Sequence, residues 1–233
     1  MKGFDLTAIL LNPEFSRMLA QGVKMTFIIF IGSWLLAMSL GIVLLAIRML
    51  PSRIADAVVA AYVSYHRNVP TLVQLMLWYF GISSLLPDAL QIWLSDHNGE
   101  AIFAVIALGL CQAAYFSEDQ RSGLRAVPKG QWEAARALGH GYIGAMTHIL
   151  LPQAIRNAMP SLVNHTVSLF KNSSLAMAIG VIELTHVVQE IESQSFRPFE
   201  SYLIATIIYL ICSLLLMWLG HYLEQRSRMA GAV

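Results

Sequence analysis

Apolar residues in this chain gather into five long runs separated by short polar stretches. The first, Thr26 to Ile47, lies uninterrupted between Lys24 and Arg48. The second, Ala55 to Leu86, is interrupted by Arg67-Asn68-Val69-Pro70. The third, Ile102 to Phe116, is shorter and stays uncharged through Ala114-Tyr115. The fourth, Pro160 to Ile182, contains Lys171-Asn172-Ser173-Ser174, and the fifth, Tyr202 to Tyr222, is clean. A helix crossing a bilayer needs about 20 mostly apolar residues, so the pattern predicts five transmembrane helices. These runs are about twice the length of a barrel strand, and backbone polar groups at membrane depth must be satisfied within the segment. The fold class is therefore an all-α membrane protein. Ala37 and Gly41, four residues apart, fit either a close helix contact or ordinary small residues facing lipid.

Composition strengthens this reading. Of 233 residues 57% are hydrophobic and 12% charged, against about 25% charged in a soluble domain. So little charge excludes a disordered chain, a nucleic-acid-binding domain and a secreted disulfide scaffold. The net charge of +1 implies no acidic macromolecular partner. Cys111 and Cys212 sit inside apolar runs and read as buried spectators. The opening MKGFDLTAILLNPEF does not read as a secretory signal, because its apolar stretch is short and no small-residue cleavage site follows.

Five spans place the termini on opposite sides, and lysine and arginine choose the orientation. With the C-terminus inside, inner segments hold Arg48, Arg53, Arg121, Arg125, Lys129, Arg136, Arg156, Arg226 and Arg228. The outer loops hold Arg197, and the N-terminal arm holds Lys2, Arg17 and Lys24. Pro87 to Glu100 carries Asp88, Asp96 and Glu100 with no lysine or arginine. N-out, C-in is the expected topology. The chain then divides into an outer arm (1–23), a membrane domain (24–225) containing a long cytoplasmic loop (about 117–159), and a cytoplasmic tail (226–233).

That loop is too polar to span and too patterned for a passive linker. Gln131 to Leu138 (QWEAARAL) is strong helix sequence, ended by Gly139 and Gly141. Pro152 and Pro160 punctuate the return to the membrane. A short helix with a small face, Ala134, Ala135 and Ala137, is expected to project into the cytoplasm and seat against another protein, or to lie on the bilayer.

Glu133-Ala134-Ala135, then Gly139, then Ile149 with Leu151-Pro152, resembles the "EAA…G…I-LP" loop of binding-protein-dependent ABC importer permeases. Gly22 to Thr26 resembles that family's G-x-x-x-T entry to the first helix. Arg67-Asn68-Val69-Pro70-Thr71-Leu72-Val73-Gln74-Leu75 resembles the R-x-x-P-L-x-Q-L segment of its polar-amino-acid subgroup, and Lys171-Asn172-Ser173-Ser174-Leu175 its K-D/N-T/S-S-L segment. RNVP and KNSS look closest to glutamate and aspartate permeases. The likeness runs from about Gly22 to Gln225. It departs at Ser117 to Leu124, where Asp119 and Ser122 replace a more aliphatic pattern.

The resemblance implies a type I ABC importer permease fold in the bacterial inner membrane. It implies that Glu133, Ala134, Ala135, Gly139, Ile149, Leu151 and Pro152 form a coupling helix and its surroundings. It further implies two copies of an ABC ATPase that bind ATP and Mg, a homologous second permease in a homodimer or heterodimer, and a periplasmic amino-acid-binding protein. No cofactor is expected in this chain. The substrate implied is glutamate or aspartate; the alternative is glutamine, a basic amino acid or cystine.

Charged groups inside spans cost roughly 2.5–3.5 kcal/mol each at mid-helix, so they face a cavity or a partner. Arg67, Gln74, Lys171, Asn172, Ser173 and Ser174 are the candidate lining of a substrate path, where a guanidinium or ammonium meets a substrate carboxylate. Snorkelling, or pairing with acids of a neighbouring subunit, would equally accommodate Arg67 and Lys171. Pro70 predicts a break or kink in the second span. Gly139-His140-Gly141-Tyr142-Ile143-Gly144 matches GxGxxG but follows a helix, so it does not indicate dinucleotide binding. No Gly-Lys pair occurs, hence no P-loop, and the seven histidines form no close ligand pair. A membrane enzyme would need an acid–base or metal set, which the spacing does not supply. A passive channel would not need the organised loop.

Overall fold

The computed structural model describes residues 4–229, with side chains through residue 226. Ten helices account for the described residues, among which there is no strand. They are α1 (Thr7–Leu10), α2 (Pro13–Arg48), α3 (Arg53–Asn68) and α4 (Thr71–Leu85). Then come α5 (Asp88–Asp96), α6 (Gly99–Arg125), α7 (Lys129–Ala137) and α8 (Tyr142–Ile179). The last are α9 (Leu184–Ser195) and α10 (Pro198–Met229).

The Asn12 side chain caps α2 by accepting from the Glu14 and Phe15 amides at 2.9 and 3.4 Å, and Pro13 fits the first turn because that turn needs no amide partner. The helix then runs unbroken past residues 23 and 24, where the sequence reading ends the N-terminal arm. Its 36 residues rise about 54 Å, more than the roughly 30 Å hydrocarbon core requires.

Three helices are each long and apolar enough to cross a bilayer: α2, α6 and α10. The α8–α9 pair qualifies together, bent by 54° at its break. The second apolar run does break at Val69-Pro70, into α3 and α4. Val69 takes extended geometry, as a residue before proline should. Arg67 and Asn68 close the last turn of α3, and Thr71 opens α4.

α6 is the central element. Its small face, with Ala113 and Ala114, packs on Ala37 and Leu44 of α2 and on Val59 and Val63 of α3. A Cβ on Gly41 would stand 3.2 Å from the Cβ of Phe116, so the Ala37/Gly41 pair is a helix contact and does not face lipid. On another face, a Cβ on Gly123 would run into the Ala154 carbonyl oxygen, so α8 crosses there backbone to backbone. Ile29, Phe30, Leu108, Leu169 and Phe170 fill the centre. Ile9, Leu19, Leu184, Ile191 and Ile204 fill the end where α1, α9 and α10 meet α2. Arg48 at the far end of α2 pairs with Asp56 at 3.0 Å and with Glu118, tying α2, α3 and α6 together.

Candidate functional site

The loop after α6 builds a short, well-terminated helix. α7 begins at Lys129 after Pro128, two residues before the expected start, and ends at Ala137. Gly139 adopts φ +83°, the left-handed geometry in which glycine has no steric penalty. Its amide donates to Arg136 O at 3.0 Å, and the His140 amide donates to Ala135 O at 3.1 Å. Both bonds together are the Schellman pattern, which satisfies carbonyls at a helix end. Glu133, Ala134 and Ala137 are exposed, whereas Ala135 is buried within the chain. The presented part of the small face is therefore Ala134 and Ala137, beside Glu133. Ile149 and Leu151 lie half-buried and Pro152 exposed at the start of the return helix. Gln153 Nε2 donates to Gln131 Oε1 at 3.2 Å, fastening the return helix to α7. The exposed apolar side chains of Leu138, Tyr142 and Ile143 extend this surface. An apolar residue just before a terminating glycine was the available signal for Leu138.

At the Pro70 break, the missing proline amide leaves the His66 carbonyl without its helical donor. Gln74 replaces it. Its Nε2 donates to His66 O at 3.1 Å and to Val69 O at 2.7 Å, while its Oε1 meets His66 Nδ1 at 2.5 Å. Gln74 is buried with its amide committed to this stitch, so it positions the break instead of facing a lumen.

Beside the break lies a polar cavity of about 160 Å³ between α4, α6 and α8. Thr71, Gln112, Tyr115, His165, Ser168 and Asn172 line it. Gln112 is 5% exposed and its Nε2 has no partner among the described residues, so an unmet donor is held at this cavity. His165 Nδ1 is 2.6 Å from Asp119 Oδ2, and Asp119 is itself buried. The Arg67 guanidinium lies over the Tyr115 ring, 5.6 Å from its centroid.

Of the six expected path residues, Asn172 lines the cavity. Arg67 reaches it only through Tyr115. Lys171 is exposed and makes no ion pair among the described residues. Ser173 is buried and donates to Phe170 O at 2.6 Å; Ser174 donates to Lys171 O at 2.8 Å. The sequence reading missed Gln112, His165 and Ser168. Their signal was present, since residues 165, 168 and 172 recur at the spacing of one helix face. Among the described residues no group of three or more His, Cys, Asp or Glu side chains could hold a metal ion.

An apolar bundle with a polar cavity between α4, α6 and α8 and a firmly capped helix after α6 fits a membrane transport subunit. Comparison with known proteins makes this specific. Residues 37–229 match the family described as binding-protein-dependent transport system inner membrane component, and the chain belongs to that family. It is 29% identical over 224 residues to the glutamate/aspartate import permease protein GltJ of Escherichia coli K12, covering 94% of this chain and 91% of that protein. It is 34% identical over 225 residues to the arginine transport system permease protein ArtQ of Bacillus subtilis, covering 94% and 99%. The crystal structure of an amino acid ABC transporter with histidines superposes with a TM-score of 0.84 at 28% identity, covering 97% of this chain and all of that one. The MetNI methionine ABC transporter in an inward-facing conformation, at 17% identity and a TM-score of 0.65, shares the fold. The chain is thus the permease subunit of an amino-acid ABC importer, a transport component and not an enzyme. Membership brings an ATPase and a substrate-binding protein as partners in general.

Proposed function

We propose that this permease carries glutamate or aspartate inward across the bacterial inner membrane by alternating access. The observation that carries the reading is the Gln112/Asn172 cavity, which holds an unmet amide donor, with the Arg67 guanidinium stacked on its Tyr115 wall. A substrate carboxylate would accept from Gln112 Nε2. Arg67 and Lys171 would draw the second carboxylate toward the cavity, since charge-assisted bonds are about twice as strong as neutral ones. Ser173 and Ser174 would shape the same segment through their backbone bonds. A second reading, a basic amino acid, is favoured by one feature: Asp119 stands behind His165 and would offer a carboxylate if the imidazole turned away.

In this account the chain crosses five times, N-out and C-in, as α2, the broken α3–α4 element, α6, the bent α8–α9 element and α10. The arm (1–23) lies outside and the tail (226–233) inside. Glu133, Ala134, Ala135, Gly139, Ile149, Leu151 and Pro152 form the coupling surface toward two ATPase copies, which hold ATP and Mg. A homologous second permease closes the path, and a periplasmic binding protein delivers substrate. The test is competition for ATP-driven uptake in proteoliposomes holding the full importer. Glutamate uptake should be blocked by excess aspartate and spared by arginine, glutamine and cystine. Block by arginine alone would overturn the acidic reading and support the basic one. Asn172→Ala should raise the KM for uptake with assembly unchanged.

A further inference from the structure

The break between α8 and α9 is built as two independently finished helix ends. On the α8 side, Gly180 at φ +88° closes the helix. Its amide donates to Met177 O at 3.0 Å, and the Val181 amide donates to Ala176 O at 3.2 Å. On the α9 side, a helix start exposes four amides that need acceptors, here those of Glu183, Leu184, Thr185 and His186: Glu183 N donates to Val181 O of the joint at 2.9 Å, and the other three find acceptors outside α8. Leu184 N donates to Thr26 Oγ1 of α2 at 3.1 Å. Thr185 N and His186 N donate to the two oxygens of Glu183 at 2.9 and 3.0 Å, and Val187 N donates to Glu183 O at 3.0 Å. Glu183 Oε2 also accepts from Tyr209 OH of α10 at 2.8 Å, and the Thr185 hydroxyl lies 3.1 Å from that same Tyr209 oxygen. Glu183 is fully buried.

The contact is as close as backbone allows. A Cβ on Gly22 would stand 3.0 Å from Leu184 Cα and 3.0 Å from Val187 Cγ2. Gly22 and Thr26, one turn apart on α2, therefore form a seat into which the start of α9 fits. Glu183 holds it there and Tyr209 closes it from α10. A Cβ on Gly180 would meet nothing within 4 Å, so the joint itself is open.

We propose that Glu183 is a positioning residue of the transport cycle. With Gly22, Thr26 and Tyr209 it fixes α9 to α2 and α10, so that these segments travel as one body while α8 swings about Gly180–Ile182. Such a swing keeps the bonds within each helix end, turns on the Val181–Glu183 link, where Glu183 N donates to Val181 O at 2.9 Å, and must release the Trp34 Nε1–Thr166 Oγ1 bond of 3.0 Å between α2 and α8. This gives hinge motion a definite axis.

Electron–electron distance measurement on the assembled importer tests this directly, with Mg-ATP and orthovanadate as the probe. One pair of spin labels replaces Gln21 and Glu190, both exposed; the other replaces Glu190 and exposed Asn164. The Gln21–Glu190 distance should stay constant when nucleotide is added, while Glu190–Asn164 shifts. Equal shifts in both pairs, or none in the second, would overturn the proposal. Glu183→Gln keeps the volume but removes one acceptor, so the Gln21–Glu190 distribution should broaden and nucleotide-dependent separation should be lost. If that variant fails to assemble, Thr26 supplies the second arm. Thr26→Val should broaden the distribution and Thr26→Ser restore it, whereas identical behaviour of the two would remove the hydroxyl from the clamp.

Discussion

The chain interrupts an apolar helical run twice and repairs the two breaks from different places. At Pro70 the repair is local: Gln74, eight residues after His66, bonds the orphaned carbonyl with its side-chain amide. At Gly180 the repair is local in part, through Glu183, and is completed from far along the chain. Thr26 accepts from Leu184, 158 residues away, and Tyr209 donates to Glu183 from a third helix. A locally stitched break is a fixed kink that can form with its own segment. A break stitched partly by neighbouring helices is complete only when the bundle is assembled.

Substitutions can separate the two kinds of repair. The largest effect is expected for Gly22→Leu, which drives a side chain into the α9 backbone. Overpacking costs about 1–3 kcal/mol and occasionally more, with a backbone contact at the upper end, and native gel electrophoresis should show loss of the assembled importer. Retained assembly would mean that α9 is not seated on α2. Gln74→Ala comes next. It leaves the buried His66 carbonyl with only the weak Cys111 thiol donor at 3.7 Å and removes the donor to Val69 O, a cost of about 1–3 kcal/mol. The purified importer should melt earlier and become more sensitive to trypsin at Arg67; an unchanged melting temperature would show that the kink does not depend on Gln74. Gly180→Ala and Gly139→Ala both force a Cβ into left-handed geometry at about 1–2 kcal/mol. Only the first should change the spin-label separation across the α8–α9 joint, while the second should weaken ATPase co-purification. The smallest effect, within about 0.5 kcal/mol in thermal melting, belongs to Thr26→Ser, which keeps the capping hydroxyl.

This contrast also marks what could be read from the residues alone. The Pro70 kink was legible because proline acts on its own neighbours, and the end of α7 was legible because Gly139 terminates helices locally. The five apolar runs and the EAA loop gave the class. The α8–α9 joint was not legible. The apolar run ends at Ile182 and a glutamate directly after a span reads as solvent-facing, yet Glu183 is buried. Nothing in the sequence brings Thr26 and Tyr209 to it. The cavity was half legible: Asn172 stood out in a polar run, while Gln112 and His165 each looked like single polar residues among apolar ones. Only packing α4, α6 and α8 together gathers them. Asp119, noted as out of place among aliphatic neighbours, turns out to be the partner of His165.

The central claim is that motion enters this permease from an ATPase through α7. It is tested most directly by one comparison in proteoliposomes holding the full importer: ATP-driven glutamate uptake by the parent chain and by Glu133→Lys. Glu133 is exposed on α7. The account predicts that the variant inserts and folds as the parent does but loses at least 90% of uptake, roughly a tenfold effect or about 1.4 kcal/mol of coupling. Undiminished ATP-driven uptake by Glu133→Lys would contradict it.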